Sequence, residues 1–204
     1  MVPRLTGDLM PDGAPEVQLV QNAAELAAAT EDDRPLVGFF AQNTLPFVFD
    51  GRGDAPDLPT MVSAALDRLE DDPEGFLLVV EAARIDHASH MNLTDRVHHE
   101  TVELDNTVSA VLARSESWTD RGTTVVVTAD HECGGIGVPQ GGTAGEIPTT
   151  TWRWGDHTNS RVGVYAWGPG TDALADAEGD HRAAHAAVVS ALTGQDPVAP
   201  TVDR

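Results

Sequence analysis

The sequence has no lysine, one cysteine and one tyrosine, and aromatic residues make up only 5% of its 204 positions. Since Cys133 is the only cysteine, an intramolecular disulfide is excluded. No apolar run approaches the roughly 18 residues of a membrane-spanning helix. Met1 to Glu16 carries three prolines and several acids, and it lacks the apolar stretch of a signal peptide. The sequence therefore predicts neither a disulfide scaffold nor a membrane span, and it leaves the cellular location undetermined.

Positively charged residues are scarce as well. The chain has 33 acidic residues against 12 basic ones, all arginine, and a net charge of −21. Such an anionic surface repels nucleic acid and anionic membranes, so neither is expected as a partner. Because the acids are spread along the chain, we interpret them as an adaptation to high salt, where screening relieves self-repulsion. The alternative is an ordinary acidic protein from a GC-rich genome.

Strand-like and helix-like segments alternate along the chain. Four apolar runs read as strands: Leu36–Phe40, Phe76–Val80, Thr123–Thr128 and Val162–Trp167. Helices are expected after Asn22, Thr60 and Asn92, which have the chemistry of N-caps, and from His181 to Leu192 before Gly194. This alternation predicts the α/β class with a largely parallel sheet. We expect residues 17–194 to form the folded part, residues 1–16 to be poorly ordered and residues 195–204 to be a tail.

Oxygen and nitrogen ligands cluster near the predicted strands. Glu81, Asp86 and His90 follow the second strand, Asp130–His131 follows the third, and His157 precedes the fourth. Carboxylates and imidazoles suit zinc, and a harder carboxylate site suits magnesium, so the pattern predicts a metal centre. Taken separately, each motif has an ordinary explanation: an exposed pair on a helical turn, a helix cap and a loop histidine.

These motifs together resemble the alkaline phosphatase family. The resemblance is carried by three segments in the same order and spacing, namely Val80–His90, Val127–Glu132, and His157–Ser160 followed by Tyr165–Pro169. It implies a three-layer α/β/α sandwich. It also implies that Asp86, His90 and His157 bind a first Zn²⁺, that Asp130 and His131 bind a second Zn²⁺, and that Glu81 binds Mg²⁺.

The resemblance is incomplete. No nucleophilic serine motif, bridging aspartate or phosphate-binding arginine of the family is found before Glu81. The chain is therefore expected to be the C-terminal portion of such a fold, without the N-terminal part, and no catalytic residue is assigned. The implied function is hydrolysis of phosphate monoesters. The alternatives are a non-catalytic metal-binding remnant, a half-enzyme that needs a complementary N-terminal segment, and a related phosphotransfer mutase. A homodimer is the other partner expected.

The remaining candidates have weaker assignments. His87 is expected beside the metals or the substrate, without binding a metal directly. Four other histidines are expected to be solvated helix positions: His98, His99, His181 and His185. Cys133 follows His131 by two residues, which allows a soft metal ligand, although a small buried filler is the commoner role of a lone cysteine.

Overall fold

The computed structural model describes residues 16–29, 34–118, 122–139, 142–171, 174 and 182–194. The chain divides into two compact units. The first unit comprises residues 1–85 and 95–107, and the second comprises residues 86–94 and 108–204. The predicted N-terminal segment and tail, apart from Glu16, and also His181, lie outside the described residues.

A small parallel sheet and two helices lie in the first unit, together with residues 95–107, which belong to a third helix. Strand β1 (Gln18–Val20) pairs in parallel with β2 (Leu36–Gly38). Between them lies helix α1 (Ala23–Ala29), and a 3-10 turn (Val48–Asp50) precedes helix α2 (Leu58–Leu69). The core combines residues from a strand and both helices: Val20, Leu26, Ala29 and Ala64, with Leu36, Phe40 and Met61 packed against them. Burying apolar side chains from all these elements holds the unit together.

Local hydrogen bonds set where the helices of this unit begin. Asn22 caps α1 as predicted, because its Oδ1 accepts from the Glu25 N–H at 2.9 Å. The prediction that Thr60 caps the next helix is wrong. Asp57 is the N-cap, and its Oδ1 accepts from the Thr60 N–H at 2.8 Å. Pro59 explains the earlier start, since proline fits the first turn of a helix.

An arginine with two glutamates forms the polar centre of the first unit. Arg52 Nη2 donates to Glu100 Oε2 at 3.2 Å and also to Glu103. The Val48 N–H donates to Glu100 Oε1 at 2.7 Å, which ties the 3-10 turn to the same carboxylate. Glu100 is buried, so these hydrogen bonds compensate the cost of removing its charge from water.

Two helices contain the boundaries between the two units. Helix α3 spans Arg84–His90 and α4 spans Thr94–Ser115. The prediction that Asn92 caps α4 is wrong, because the N-cap is Leu93 and Asn92 has a positive φ of 55°. Asparagine tolerates this left-handed conformation, which follows the end of α3.

The second unit contains two antiparallel strand pairs and a final helix. Strand β3 (Val125–Thr128) pairs with β6 (Val164–Trp167), and β4 (Glu132–Cys133) pairs with β5 (His157–Thr158). Helix α5 spans Arg182–Thr193, and Gly194 follows it with a positive φ of 63°, as predicted. Strands thus form at three of the four predicted runs, although they are shorter than expected.

The predicted strand Phe76–Val80 is not formed. Residues 76–80 form no ladder with any described strand, and Val79 is 80% exposed. A strand requires a hydrogen-bonding neighbour, which an apolar run does not supply by itself. Within the described residues, the predicted largely parallel sheet is represented by one parallel and two antiparallel pairs. Among those residues, no helix combines the length and the apolar character that crossing a membrane requires.

Candidate metal centre

Helix α3 presents an acid and an imidazole on one face. Asp86 and His90 are four residues apart, close to one turn of an α-helix, so their side chains are neighbours. His90 Nε2 lies 3.3 Å from Asp86 Oδ2, and both side chains are about one third exposed. The predicted convergence of these two groups is therefore present in the structure.

The short β-ladder of the second unit brings a second imidazole to this pair. His157 lies on β5 directly opposite Cys133 of β4. Its Nε2 is 3.0 Å from His90 Nε2 and 3.4 Å from Asp86 Oδ1. His90 and His157 are 67 residues apart in sequence, so the ladder brings a distant side chain to the helix.

A backbone carbonyl fixes the orientation of His90. Its Nδ1 lies 2.8 Å from the Gly155 oxygen, and because a carbonyl only accepts, Nδ1 is the donor. In the neutral ring this leaves the lone pair on Nε2, the atom that faces Asp86 and His157. Metal-binding histidines in proteins are held in the same way, through their other ring nitrogen. The same hydrogen bond raises the pKa of His90.

The spacing of the three side chains fits a zinc ion. Ligands about 2.0–2.1 Å from zinc in tetrahedral geometry lie about 3.3 Å from one another. The two imidazole nitrogens are 3.0 Å apart. His90 Nε2 lies 3.3 Å from Asp86 Oδ2 and His157 Nε2 lies 3.4 Å from Asp86 Oδ1, so each imidazole faces a different oxygen of the carboxylate. In addition, Asp86 Oδ1 is buried and has no hydrogen-bond partner among the described residues. A buried carboxylate oxygen without a donor is costly, and a cation would satisfy it.

The second predicted pair lies beside the first group. His131 stacks on His157, with ring centroids 3.4 Å apart and planes at 23°. Its Nε2 is 3.2 Å from Asp130 Oδ2, and the Asp130 side chain is 86% exposed. His131 Nδ1 is buried with no hydrogen-bond partner among the described residues. Asp130 and His131 thus place a carboxylate oxygen and an imidazole nitrogen next to Asp86, His90 and His157. A second metal ion would need such ligand atoms nearby.

The other sequence candidates lie in different surroundings. Glu81 belongs to the first unit and is exposed, so its predicted magnesium role stays a prediction. His98 and His99 contact each other on α4, with His99 Nδ1 donating to the Asp95 carbonyl at 2.7 Å, and His185 is exposed on α5. His87 is partly exposed on α3, and its predicted role remains untested.

Cys133 lies within the metal-ligand group, whereas the sequence favoured a filler. Its thiol joins Asp86, His90 and His157 in a cluster whose ligand atoms all lie within 4.8 Å of one another. The residue is 8% exposed, and burial raises the pKa of the thiol to about 12. The sequence feature that could have predicted this position is the two-residue spacing between His131 and Cys133. In an extended chain, this spacing puts both side chains on one face.

Sequence reasoning missed Glu132, whose carboxylate supports the site without joining it. Its Oε1 accepts from the Ile136 N–H at 3.0 Å, and its Oε2 accepts from the Gly135 N–H at 3.3 Å and from the Thr158 hydroxyl. These bonds tie the loop after β4 to strand β5. Thr158 follows His157 directly, so Glu132 helps to fix the position of that imidazole.

Gly134 allows this loop to turn closely past its neighbours. Its φ is +83°, a conformation that side chains rarely adopt. A Cβ atom there would lie 2.6 Å from the Trp152 ring and 3.2 Å from the Ser89 carbonyl oxygen. The backbone around Cys133 therefore requires glycine at the next position.

Comparison with known proteins identifies the family to which the chain belongs. The alkaline phosphatase family model matches residues 12–146, so the chain belongs to the alkaline phosphatase family. His157 lies beyond the matched residues. The repressible alkaline phosphatase of Saccharomyces cerevisiae is 38% identical over 109 residues, which cover 50% of this chain and 19% of that protein.

Solved structures confirm the fold class. Alkaline phosphatase from the Antarctic bacterium TAB5 superimposes with a TM-score of 0.64 at 23% identity. A TAB5 variant with magnesium bound in its M3 site gives a TM-score of 0.63, also at 23% identity. Each covers 76% of this chain, which in turn spans 46% of each. The predicted alkaline phosphatase-like α/β class is thereby confirmed, and the chain spans less than half the length of these relatives.

Proposed function

We propose that this chain supplies metal-binding residues of an alkaline phosphatase-type phosphomonoester hydrolase. Asp86, His90 and His157 would hold a first Zn²⁺, and Asp130 and His131 a second. The observation that carries the proposal is the spacing of the first three side chains, whose donor atoms are 3.0–3.4 Å apart. Family membership supports the same reaction class.

The chemistry of phosphate monoesters explains why such a ligand set is useful. A dianionic substrate repels nucleophiles, and two bound metal ions supply charge neutralisation and Lewis acidity at the reacting phosphate. In this chain, the Gly155 carbonyl keeps a proton on His90 Nδ1, which leaves Nε2 free to bind the proposed metal. The stacking of His131 on His157 holds the two ligand groups side by side.

Glu81 is the proposed magnesium ligand. It is supported by its place in the motif five residues before Asp86 and by the preference of Mg²⁺ for carboxylate oxygens. A TAB5 relative with bound magnesium adds support at the level of the fold. The test is Glu81→Gln, which we expect to weaken Mg²⁺ binding in a calorimetric titration, while Glu74→Gln serves as an exposed control.

Hydrolysis of a chromogenic phosphate ester tests the activity. The purified chain would be assayed with zinc and magnesium in molar salt, and Asp130→Ala would control for a contaminating phosphatase. We expect turnover that the substitution abolishes when the nucleophile is supplied by a complementary segment of the family fold. No nucleophilic serine of the family is identified in this chain. Turnover by the chain alone would therefore mean that it contains a nucleophile at another position. Activity that survives Asp130→Ala would belong to a contaminant and contradict the proposal.

A second candidate function is a zinc-binding module without catalysis. The specific observation in its favour is the buried Cys133 thiol in the first ligand group, since zinc with four protein ligands has no open position for substrate. Stoichiometric zinc binding without hydrolysis, by a chain that stays folded and that remains inactive when a nucleophile-bearing segment is added, would establish this function in place of the first.

We further propose that the chain acts together with a complementary segment of the family fold, with a homodimer as the alternative. The chain covers only 19% of the yeast relative and 46% of the TAB5 enzyme. Moreover, three of the four residues of β6 are exposed apolar side chains: Val164, Tyr165 and Trp167. Apolar strand residues of an α/β sheet are normally covered on both faces.

A further inference from the structure

The Cys133 thiol has no role in the proposed hydrolysis. It is the only cysteine of the chain and is 8% exposed. Its Sγ lies 3.9 Å from the Asp86 carbonyl oxygen, which makes at most a weak hydrogen bond. A hydrophobic filler has no need of the polar neighbours that surround it, which are Asp86, His90 and His157.

The distances allow the sulfur to complete a four-ligand set. In a tetrahedral zinc site with sulfur at about 2.3 Å and nitrogen or oxygen at about 2.05 Å, the sulfur lies about 3.6 Å from the other ligands. No two ligand atoms of the cluster are more than 4.8 Å apart. The widest separation exceeds that value by about 1 Å. Since Cys133 and His157 are direct partners across the β4–β5 ladder, side-chain rotation can close this difference without breaking the pairing.

Charge balance favours the same assignment. Two neutral imidazoles with one carboxylate would leave one positive charge on a bound divalent ion. When the sulfur–metal bond forms, the thiol proton passes to solvent and the thiolate neutralises that charge. A neutral assembly suits a partly buried position, where a net charge is costly to remove from water.

We propose that Cys133 is the fourth ligand of the metal held by Asp86, His90 and His157. This inference rests on the proposed metal site. Because four protein ligands close the coordination sphere, it favours the zinc-binding module over catalysis at this metal. A soft sulfur ligand also selects zinc, or cobalt in its place, over magnesium and calcium at this position. A site of this kind stabilises the fold of the second unit.

The test is titration of the full chain with Co²⁺, followed by absorption spectroscopy. Cobalt bound to a thiolate shows a near-ultraviolet charge-transfer band, and tetrahedral cobalt shows visible d–d bands. We expect both in the unaltered chain, and Cys133→Ser to remove the first while retaining weakened cobalt binding. Since the chain has a single cysteine, no other thiol can give the charge-transfer band. The loss of affinity should be at least about 10–100-fold, the range for losing even an outer partner of a metal ligand.

The outcomes separate this inference from the proposed function. Cobalt binding without a charge-transfer band, at an affinity that Cys133→Ser leaves unchanged, would overturn the role of Cys133 and leave the three-ligand site intact. Absence of any cobalt binding would overturn the metal site itself. Cys133→Ala is a second variant in case serine disturbs packing, and far-ultraviolet circular dichroism checks that each variant folds.

Discussion

The Glu132 carboxylate ties a loop of the second unit to strand β5. Glu132 accepts three hydrogen bonds from Gly135, Ile136 and Thr158. We expect Glu132→Ala to destabilise the chain by about 1–3 kcal/mol, because two backbone N–H groups lose their acceptor. Glu132→Gln keeps one acceptor oxygen and should cost less. Urea unfolding measures both, and Glu146→Ala, on an exposed residue, is the matched control. Equal stability of Glu132→Ala and this control would contradict the prediction.

We expect the partly buried carboxyl of Glu103 to make the stability of the first unit depend on pH. Burial raises its pKa above the ordinary 4.5, although Arg52 acts in the opposite direction. A raised pKa in the folded state means that the stabilisation is complete below pH 4.5 and is lost as pH rises through the folded-state pKa. Glu103→Gln cannot ionise, so its free energy of unfolding should depend less on pH in this window.

Urea titrations at a series of pH values from about 4 to 7 measure this difference. Glu74→Gln, on an exposed residue of the same unit, is the control and should follow the unaltered chain. If the curves for Glu103→Gln and the unaltered chain run parallel across the series, the pKa of Glu103 in the folded chain is not raised.

At the scale of helices and strands, the run at residues 76–80 gives the sharpest test. Its apolar character predicted a buried strand, yet Val79 is 80% exposed. We therefore expect Val79→Asp to change the free energy of unfolding by no more than about 0.5 kcal/mol. Val62→Asp is the matched control, since Val62 is 5% exposed on α2 and a charge buried there should cost several kcal/mol. A comparable loss from both substitutions would mean that residues 76–80 are buried after all.

Local signals predicted helices α1, α2, α4 and α5, although the caps of α2 and α4 were wrong, and they did not predict the long-range pairing of strands. Asn22 and Gly194 mark helix boundaries through contacts within a few residues, which a sequence reveals. The antiparallel pairing of β3 with β6 joins segments almost 40 residues apart, and no local pattern encodes it. The position of Asp86 relative to His90 follows from helical spacing. His157, by contrast, was assigned from its position before a predicted strand and from a family motif, and the place of Cys133 depends on its register opposite His157.

At the scale of the whole molecule, the net charge of −21 makes stability depend on salt. Screening shortens the range of repulsion from about 10 Å at 0.1 M to about 3 Å at 1 M ionic strength. We expect the melting temperature to rise as KCl is raised from 0.1 to 2 M. The double variant Asp71→Asn/Glu74→Gln removes two exposed charges and should show a smaller rise. Differential scanning fluorimetry measures both, and a melting temperature that falls or stays constant with KCl would contradict the saline adaptation.

The exposed apolar face of β6 implies that the isolated chain associates. Strand β6 pairs only with β3 among the described residues, and a two-stranded sheet is marginal by itself. Tyr165 is 63% exposed, and open strands with apolar side chains pair with other chains. We therefore expect light scattering coupled to size-exclusion chromatography to show a mass that grows with concentration. Tyr165→Lys should reduce this growth, because a charged edge opposes strand addition, whereas Leu192→Lys on the exposed part of α5 should not.

Co-expression with a family segment that carries the nucleophile then distinguishes the two kinds of partner. If the complementary segment is the natural occupant, a one-to-one complex should form, self-association should disappear, and phosphatase activity should be measurable in the complex. If a homodimer is the natural state, the mass should level off at twice that of the chain and the segment should not bind. A monomer at every concentration, with a cooperative thermal transition, would contradict both, because it would mean that the apolar residues of β6 are stable in water without a cover.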